Sequence, residues 1–355
     1  MKITFVLPMF LTSPSGGFKV VYEYANRLAE LGHEIAVVHP RTIEPQTGLV
    51  EAVKKGFWKP KLRVINRPLV RWFEVSDKVN LILATDLSER NIPDADVIFA
   101  TASDTAFPVA TYSPAKGRKF YLIQSYETWN LSEETVIASW KLPMHKIVVS
   151  RQLQQIANGL GESQRTTYIP LGIDVSLFRL LTPINERREL RIGMLAHPNE
   201  VKGTRDGLAA LELVKTKHPE LQVALFGTEP RLEFIPDWVS YDQLPTAERL
   251  VEFYNSCRIF LNPGRAEGWG LPAAEAMACG CAVVSADNGG IHEFAVDGQT
   301  ALIAPTQRPD LMAEQILKLI ENDELRQRIA SAGHQSIQQI NWHRAVDDLN
   351  KLLVQ

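Results

Sequence analysis

KITFVLPMFLTSPSGGFKVVYEYANRLAELGHEIAVV, residues 2–38, sets the fold class. Lys2 to Leu7 is a continuous apolar run, the pattern of a strand buried on both faces. The glycine pair Gly16 and Gly17 leads into a segment where Val20, Val21, Tyr24, Leu28 and Leu31 recur at helical spacing. Gly32 sits where a C-terminal cap belongs, and a second strand, Glu34 to Val38, follows. Strand, glycine turn, helix and strand make the unit from which parallel α/β sheets are built.

The same alternation continues. Strands are predicted at Val97–Ala100, Phe120–Ile123, Lys146–Val149 and Thr167–Ile169, completing a first Rossmann-like domain over residues 1–170. Pro170, Gly172, Pro183 and the charged run NERRE then break the pattern, as an interdomain segment does. A second Rossmann-like domain, residues 171–335, restarts with the strand RIGMLA. It continues through helix 204–217, strand 221–226, helix 245–256 and strands 258–262, 281–284 and 300–303. Trp342, Val346, Leu349 and Leu353 form an apolar stripe on a last helix, and residues 336–355 are expected to return to the first domain. Two doubly wound domains are expected to bind ligands at the carboxyl ends of their strands, in a cleft between them.

Bulk properties narrow the function. The 355 residues exceed one compact core, and 45% hydrophobic with 22% charged residues is ordinary soluble composition. A net charge of −3 argues against a general polyanion binder, so no nucleic-acid partner is expected. Cys257, Cys279 and Cys281 match neither a disulfide framework nor a zinc spacing, and read as reduced, buried thiols. No apolar run reaches the ~18 residues of a membrane span, and MKITFVLPMF lacks a cleavage site. The expected location is cytoplasmic, peripheral at the inner membrane face. A basic window, residues 54–73, motivates the membrane reading. Lys54, Lys55, Lys59, Lys61, Arg63, Arg67 and Arg71 are interleaved with or adjacent to Phe57, Trp58, Trp72 and Phe73, which suits an anionic lipid surface, the reading favoured here, as it would a nucleic-acid strand or a solvated loop.

Chemistry concentrates in EGWGLPAAE, residues 267–275. After the strand 258–262, the chain turns through Asn262, Pro263 and Gly264, which puts Glu267 in a strand-to-helix loop. Pro272 suits the first turn of a helix. The N–H groups of Ala273, Ala274 and Glu275 would then be available to phosphate, and Gly268 and Gly270 would let the backbone approach a ligand. Each carboxylate can accept hydroxyl hydrogen bonds. A plain helix start with acids matched to its dipole gives the same pattern. The Gly16–Gly17 turn is a second anion-binding candidate or a simple tight turn; it is neither GxGxxG nor a P-loop. Lys202, after the first strand of the second domain, and Arg265, before Glu267, can offset diphosphate charge or be solvated. His197 and His292 lie close to these segments.

These segments resemble the GT-B glycosyltransferases of family four, the retaining group that includes bacterial mannosyl-, glucosyl- and rhamnosyltransferases. GGFKVVYEYANRLAELGHEIAVV looks like that family's first loop and helix, IPLGIDVSLF like its interdomain segment, and VKGTRDGL like its lysine-glycine helix start. Residues 263–303, PGRAEGWGLPAAEAMACGCAVVSADNGGIHEFAVDGQTALI, resemble its E-x7-E region. The resemblance implies a GT-B fold, two Rossmann-like domains facing across a cleft. It implies a metal-independent, retaining hexosyl transfer from a nucleoside-diphosphate sugar to a glycan or lipid-linked acceptor in surface polysaccharide or glycoconjugate assembly, with no cofactor beyond that co-substrate. Catalytic roles fall to Glu267, at the donor sugar, and Lys202, at the leaving diphosphate. Donor-binding roles fall to Gly16, Gly17, Gly193, Arg265, Gly268, Gly270, Leu271 and Glu275, the last at the ribose hydroxyls.

Two positions depart from the family. Met194 stands where an arginine is usual, with Arg265 or Arg205 as substitutes. A first-domain histidine is replaced by FYLIQSYETW, which makes Gln124, Tyr126 and Glu127 the acceptor-side candidates. That segment, with IPDADVIFATASDTAF, looks most like a rhamnosyltransferase-like subgroup. A nucleotide-sugar epimerase on the same scaffold and an inactive sugar-nucleotide-binding subunit are the alternative readings.

Overall fold

A computed structural model describes residues 1–43, 63–64, 70–129 and 131–355. The basic window up to Arg67 therefore lies outside the described residues, apart from the backbone of Arg63. The chain divides into two units, Met1–Pro170 with Ala345–Gln355, and Leu171–Arg344.

The first unit is an eight-stranded sheet in the order β3-β4-β2-β1-β5-β6-β7-β8. Its strands are β1 Lys2–Val6, β2 Glu34–Pro40, β3 Arg63–Val64, β4 Val79–Ala84, β5 Val97–Ala100, β6 Arg118–Ile123, β7 His145–Val148 and β8 Thr166–Tyr168. All pairings are parallel except the two-residue β3 on β4. Parallel strands need crossovers, supplied here in part by α1 Gly16–Glu30, α2 Ser103–Thr111, α3 Glu133–Trp140 and α4 Arg151–Gly159. The core strands β1 and β5 are buried almost throughout, with Phe5 stacked on Phe99 at 4.6 Å. The predicted glycine turn is in fact the first turn of α1. Ser15 is its N-cap and accepts from Lys19 N–H at 2.9 Å, so Gly16 and Gly17 already have helical neighbours.

The second unit is a six-stranded parallel sheet, β11-β10-β9-β12-β13-β14. Its strands are β9 Arg191–Leu195, β10 Gln222–Gly227, β11 Val239–Gln243, β12 Ile259–Asn262, β13 Ala282–Ala286 and β14 Leu302–Ala304. The helices are α5 Thr204–Lys217, α6 Ala247–Ser256, α7 Leu271–Ala278, α8 Pro309–Glu321 and α9 Asp323–Ile337; the last helix, α10 Trp342–Val354, starts in this unit and belongs from Ala345 on to the first. Trp342, Val346, Leu349 and Leu353 of α10 are buried, as their spacing requires. All three cysteines are buried and unpaired. Among the described residues, no helix is long and apolar enough to cross a membrane.

His39, near the end of β2, is fully buried beside the rings of Phe10, Phe18 and Tyr22. Burial drives its pKa down from 6.5 to about 4. The folded chain then binds fewer protons at this site than the unfolded chain. The stability is complete above pH 6.5 and is lost as pH falls toward 4, by about 3 kcal/mol in all. Thermal melts of the wild type and His39→Leu across this range should show a shallower acid decline in the variant. Parallel curves would exclude His39 as an acid-sensitive element.

Candidate active site

Three loops meet at the carboxyl edge of the second sheet, following β9, β12 and β13. The first holds itself in shape. Thr204 Oγ1 donates to the His197 carbonyl at 2.8 Å and accepts its N–H at 2.9 Å, while Asn199 Oδ1 accepts from Val201 N–H at 2.9 Å. Gly203 has φ 66° and lies so near the Pro263 carbonyl that a Cβ there would collide with it. Loop one is thereby pressed onto loop two, and Arg265 N–H donates to the Val201 carbonyl at 2.7 Å.

Lys202 Nζ donates to both oxygens of Glu267, at 2.9 and 2.8 Å. The Glu267 side chain is 13% exposed and that of Lys202 33%, so the pair is shielded from water on the carboxylate side. The third loop holds the Glu267 backbone, whose N–H donates to the Asn288 carbonyl at 3.0 Å. A Cβ on Gly290 would lie 2.7 Å from the Trp269 carbonyl oxygen, so only glycine lets these two loops touch. Asn288 Oδ1 closes the turn by accepting from Ile291 N–H at 3.1 Å.

Beyond Glu267, Gly268 is buried in the loop and Gly270 is the N-cap of α7 at φ 101°, with Pro272 in the first turn. Ala274 N–H donates back to the Gly270 carbonyl at 3.3 Å. Ala274 and Glu275 are thus past the open turn, which corrects their expected availability to phosphate. The N–H groups of a helix start that lack intrahelical partners are here those of Gly270, Leu271 and Ala273. Glu275 is only 5% exposed, and Tyr254 O–H donates to its Oε2 at 3.0 Å. Burial, then the Glu275 charge, pushes the Tyr254 phenol well above its ordinary pKa.

Arg265 does not stand in freely for the missing arginine. Its Nε donates to Asp206 Oδ2 at 2.8 Å and its Nη2 to Oδ1 at 3.3 Å, with Glu200 at 3.8 Å. Arg205 lies over the Phe234 ring at 3.8 Å. Met194 is fully buried, its sulfur filling the space beside Gly207. Gly193 is mid-strand, where a Cβ would meet Cys257 Sγ and Phe253 at 2.8 Å. Sheet packing by itself explains a glycine at this position. His197 is held below its ordinary pKa by burial and by Lys202. His292 is half exposed and faces Asp287 at 2.8 Å.

The first-unit candidates sit on loops at the carboxyl edge of their own sheet, and each has a protein partner. Gln124 Nε2 donates to the Gly17 carbonyl at 3.0 Å. Tyr126 O–H donates to Glu133 at 3.3 Å and its ring packs edge-on against Trp140. Glu127 Oε2 accepts from Ser103 N–H at 2.7 Å, and burial raises its carboxyl pKa. The sequence reading missed Gly203, Tyr254, Asn288 and Gly290. The NGG run was the one local signal for the last two.

Residues 183–336 match the family model described as Glycosyl transferases group 1. The chain is 32% identical over 105 residues to an uncharacterized glycosyltransferase of Methanocaldococcus jannaschii, a match covering 30% of each protein. It is 24% identical over 387 residues to the phosphatidyl-myo-inositol mannosyltransferase of Mycobacterium tuberculosis, covering 96% of this chain and 93% of that one. The matches to the first curated relatives span under a third of those proteins' length. In fold, the chain is similar to Anabaena HepE, whose structure was solved with UDP and glucose. The TM-score is 0.76 at 16% identity, over 100% of this chain and 99% of that one. Two parallel-sheet α/β units with this likeness make the fold GT-B.

The ion pair predicts an asymmetric mutational response. Lys202→Met leaves a shielded carboxylate without its cation and should destabilise the protein by about 1–3 kcal/mol. Adding Glu267→Gln should restore most of that loss in denaturant unfolding. Additive losses in the double variant would mean that the two groups do not support each other.

Proposed function

We propose, for a chain whose residues 183–336 match the glycosyl transferases group 1 model, a retaining transfer of a hexose or deoxyhexose from a nucleoside-diphosphate sugar to a glycan or lipid-linked acceptor. The observation that carries this reading is the shielded Lys202–Glu267 pair beside the open turn at Gly270. An ammonium, helix-start N–H groups without intrahelical partners and a carboxylate supply, in one place, what a diphosphate and a sugar need.

Charge builds on the diphosphate as the glycosidic bond breaks. Lys202 and the N–H groups of Gly270 and Leu271 would stabilise it, together with the positive end of α7. Glu267 would hold sugar hydroxyls and the positive charge near the anomeric carbon. Glu275, anchored by Tyr254, would hold the ribose hydroxyls. The acceptor would attack the face that the leaving group vacates, which preserves the anomeric configuration. These groups carry the leaving-group charge themselves, so no metal is required in this reading.

The relatives suggest a mannosyl donor as readily as the rhamnosyl donor suggested by residues 92–129, since a mannosyltransferase matches nearly the whole chain. A lipid-linked acceptor would bring the enzyme to the inner face of the membrane, with residues 54–73 as the basic docking segment.

Binding and turnover separate these roles. A thermal-shift panel of nucleoside diphosphates should raise the melting temperature for at least one base. Glu267→Ala should lower transfer by at least about 100-fold, the scale of removing a transition-state partner, with nucleotide binding nearly intact. Glu275→Ala should mainly weaken that binding. Near-normal turnover in Glu267→Ala would refute the assignment, and unchanged turnover in EDTA is the expected result for metal independence.

A further inference from the structure

In the first unit, the loops following β1, β5 and β6 leave the same edge of the sheet and are tied together by side chains of the third. Gln124 Nε2 donates to the carbonyl of Gly17, in the first turn of α1, across 107 residues of sequence. Three residues later, Glu127 Oε2 accepts from the N–H of Ser103, the first residue of α2. The receiving turn is itself braced. Ser103 Oγ and the buried Tyr121 hydroxyl are 3.0 Å apart, and Thr105 Oγ1 accepts from the N–H groups of Thr101 and Ala102 at 3.0 and 3.1 Å. The loop 124–127 therefore bridges two helix starts, one of which is rigidly held.

The site that a Cβ on Gly17 would occupy is 3.6 Å from the Gln124 amide, so the side chain lies flat against that turn. Gln124 and Glu127 are each committed to backbone of this chain. Their geometry is that of supports.

We propose that Gln124 is a positioning residue for the Gly16–Gly17 turn, with Glu127 anchoring Gln124 to α2, and that neither side chain touches the acceptor. The proposal rests on the glycosyltransferase reading, for which the family resemblance implies a donor-binding role for Gly16 and Gly17. The bridge sets the backbone direction of the first turn of α1 and thereby its fit to the donor. An acceptor that seats on the loop 124–129 would be felt at the donor turn through the same two hydrogen bonds.

Three variants test this. Gln124→Met keeps length and removes the amide; Glu127→Met removes the acceptor oxygen; Glu127→Gln keeps an oxygen that can accept from Ser103. Amide hydrogen exchange on the protein alone should show faster exchange in residues 16–20 for both Met variants and wild-type exchange for Glu127→Gln. Calorimetric titration with UDP and GDP, and donor and acceptor kinetics, supply the functional readout. Both Met variants should raise donor KM and the nucleotide Kd by about 3- to 10-fold, the scale of one neutral hydrogen bond. Acceptor KM should change less than about 2-fold by the same measure. A raised acceptor KM with unchanged donor KM would overturn the proposal and return both residues to acceptor contact. Unchanged exchange at residues 16–20 in both Met variants would overturn it whatever the kinetics. A wild-type protein that binds neither nucleotide, yet shows the exchange effect, would count against the functional reading alone and leave the bridge standing.

Discussion

A parallel sheet sends every strand out at the same edge, and this chain depends on that constraint twice. In the second unit it brings together residues 197–203, 263–270 and 287–290, which local sequence has no means of joining. Lys202 and Glu267 are 65 positions apart, yet their charged atoms sit 2.8 Å apart. Close approach of the loops is permitted by two glycines, Gly203 against Pro263 and Gly290 against Trp269, where any side chain would meet backbone. A carboxylate shielded to 13% exposure requires a cation, so the packing that places Glu267 also demands Lys202. Donor recognition, in this account, exploits a charge pair that the fold must in any case satisfy.

The far end of α7 is held with similar economy. Arg187, 5% exposed, donates to the carbonyls of Cys257 at 2.6 Å, Tyr254 at 3.4 Å and Cys279. These carbonyls close the C-terminal ends of α6 and α7. One guanidinium from the segment entering the second unit therefore steadies both the helix that carries Glu275 and the helix whose Tyr254 binds it. Residues 171–189 read as punctuation in the sequence, but Arg187 makes them part of the site's support.

Legibility followed the range of the interaction. The alternation of strands and helices, the helix start at Pro272 and the apolar stripe of α10 are local patterns, and the structure places them where periodicity does. Val79–Ala84 was passed over because Asn80 interrupts its apolar run after a long basic stretch. Val239–Gln243 gave no signal because only its first residue is buried. The glycine pair was misread as a turn because glycine is a poor helix former, yet a helix start tolerates it. The packing of Phe253 and Cys257 against Gly193 is equally out of reach of local sequence. The commitments of Gln124, Arg265 and Glu127 to partners in the first turns of distant helices are non-local, and no spacing rule encodes them.

The most direct measurement is the structure of the chain with a bound nucleoside diphosphate. The account predicts diphosphate oxygens within about 3 Å of Lys202 Nζ and of the N–H of Gly270 or Leu271, the ribose beside Glu275, and Glu267 sharing or releasing Lys202. A nucleotide bound elsewhere, with the Lys202–Glu267 pair undisturbed, would contradict it.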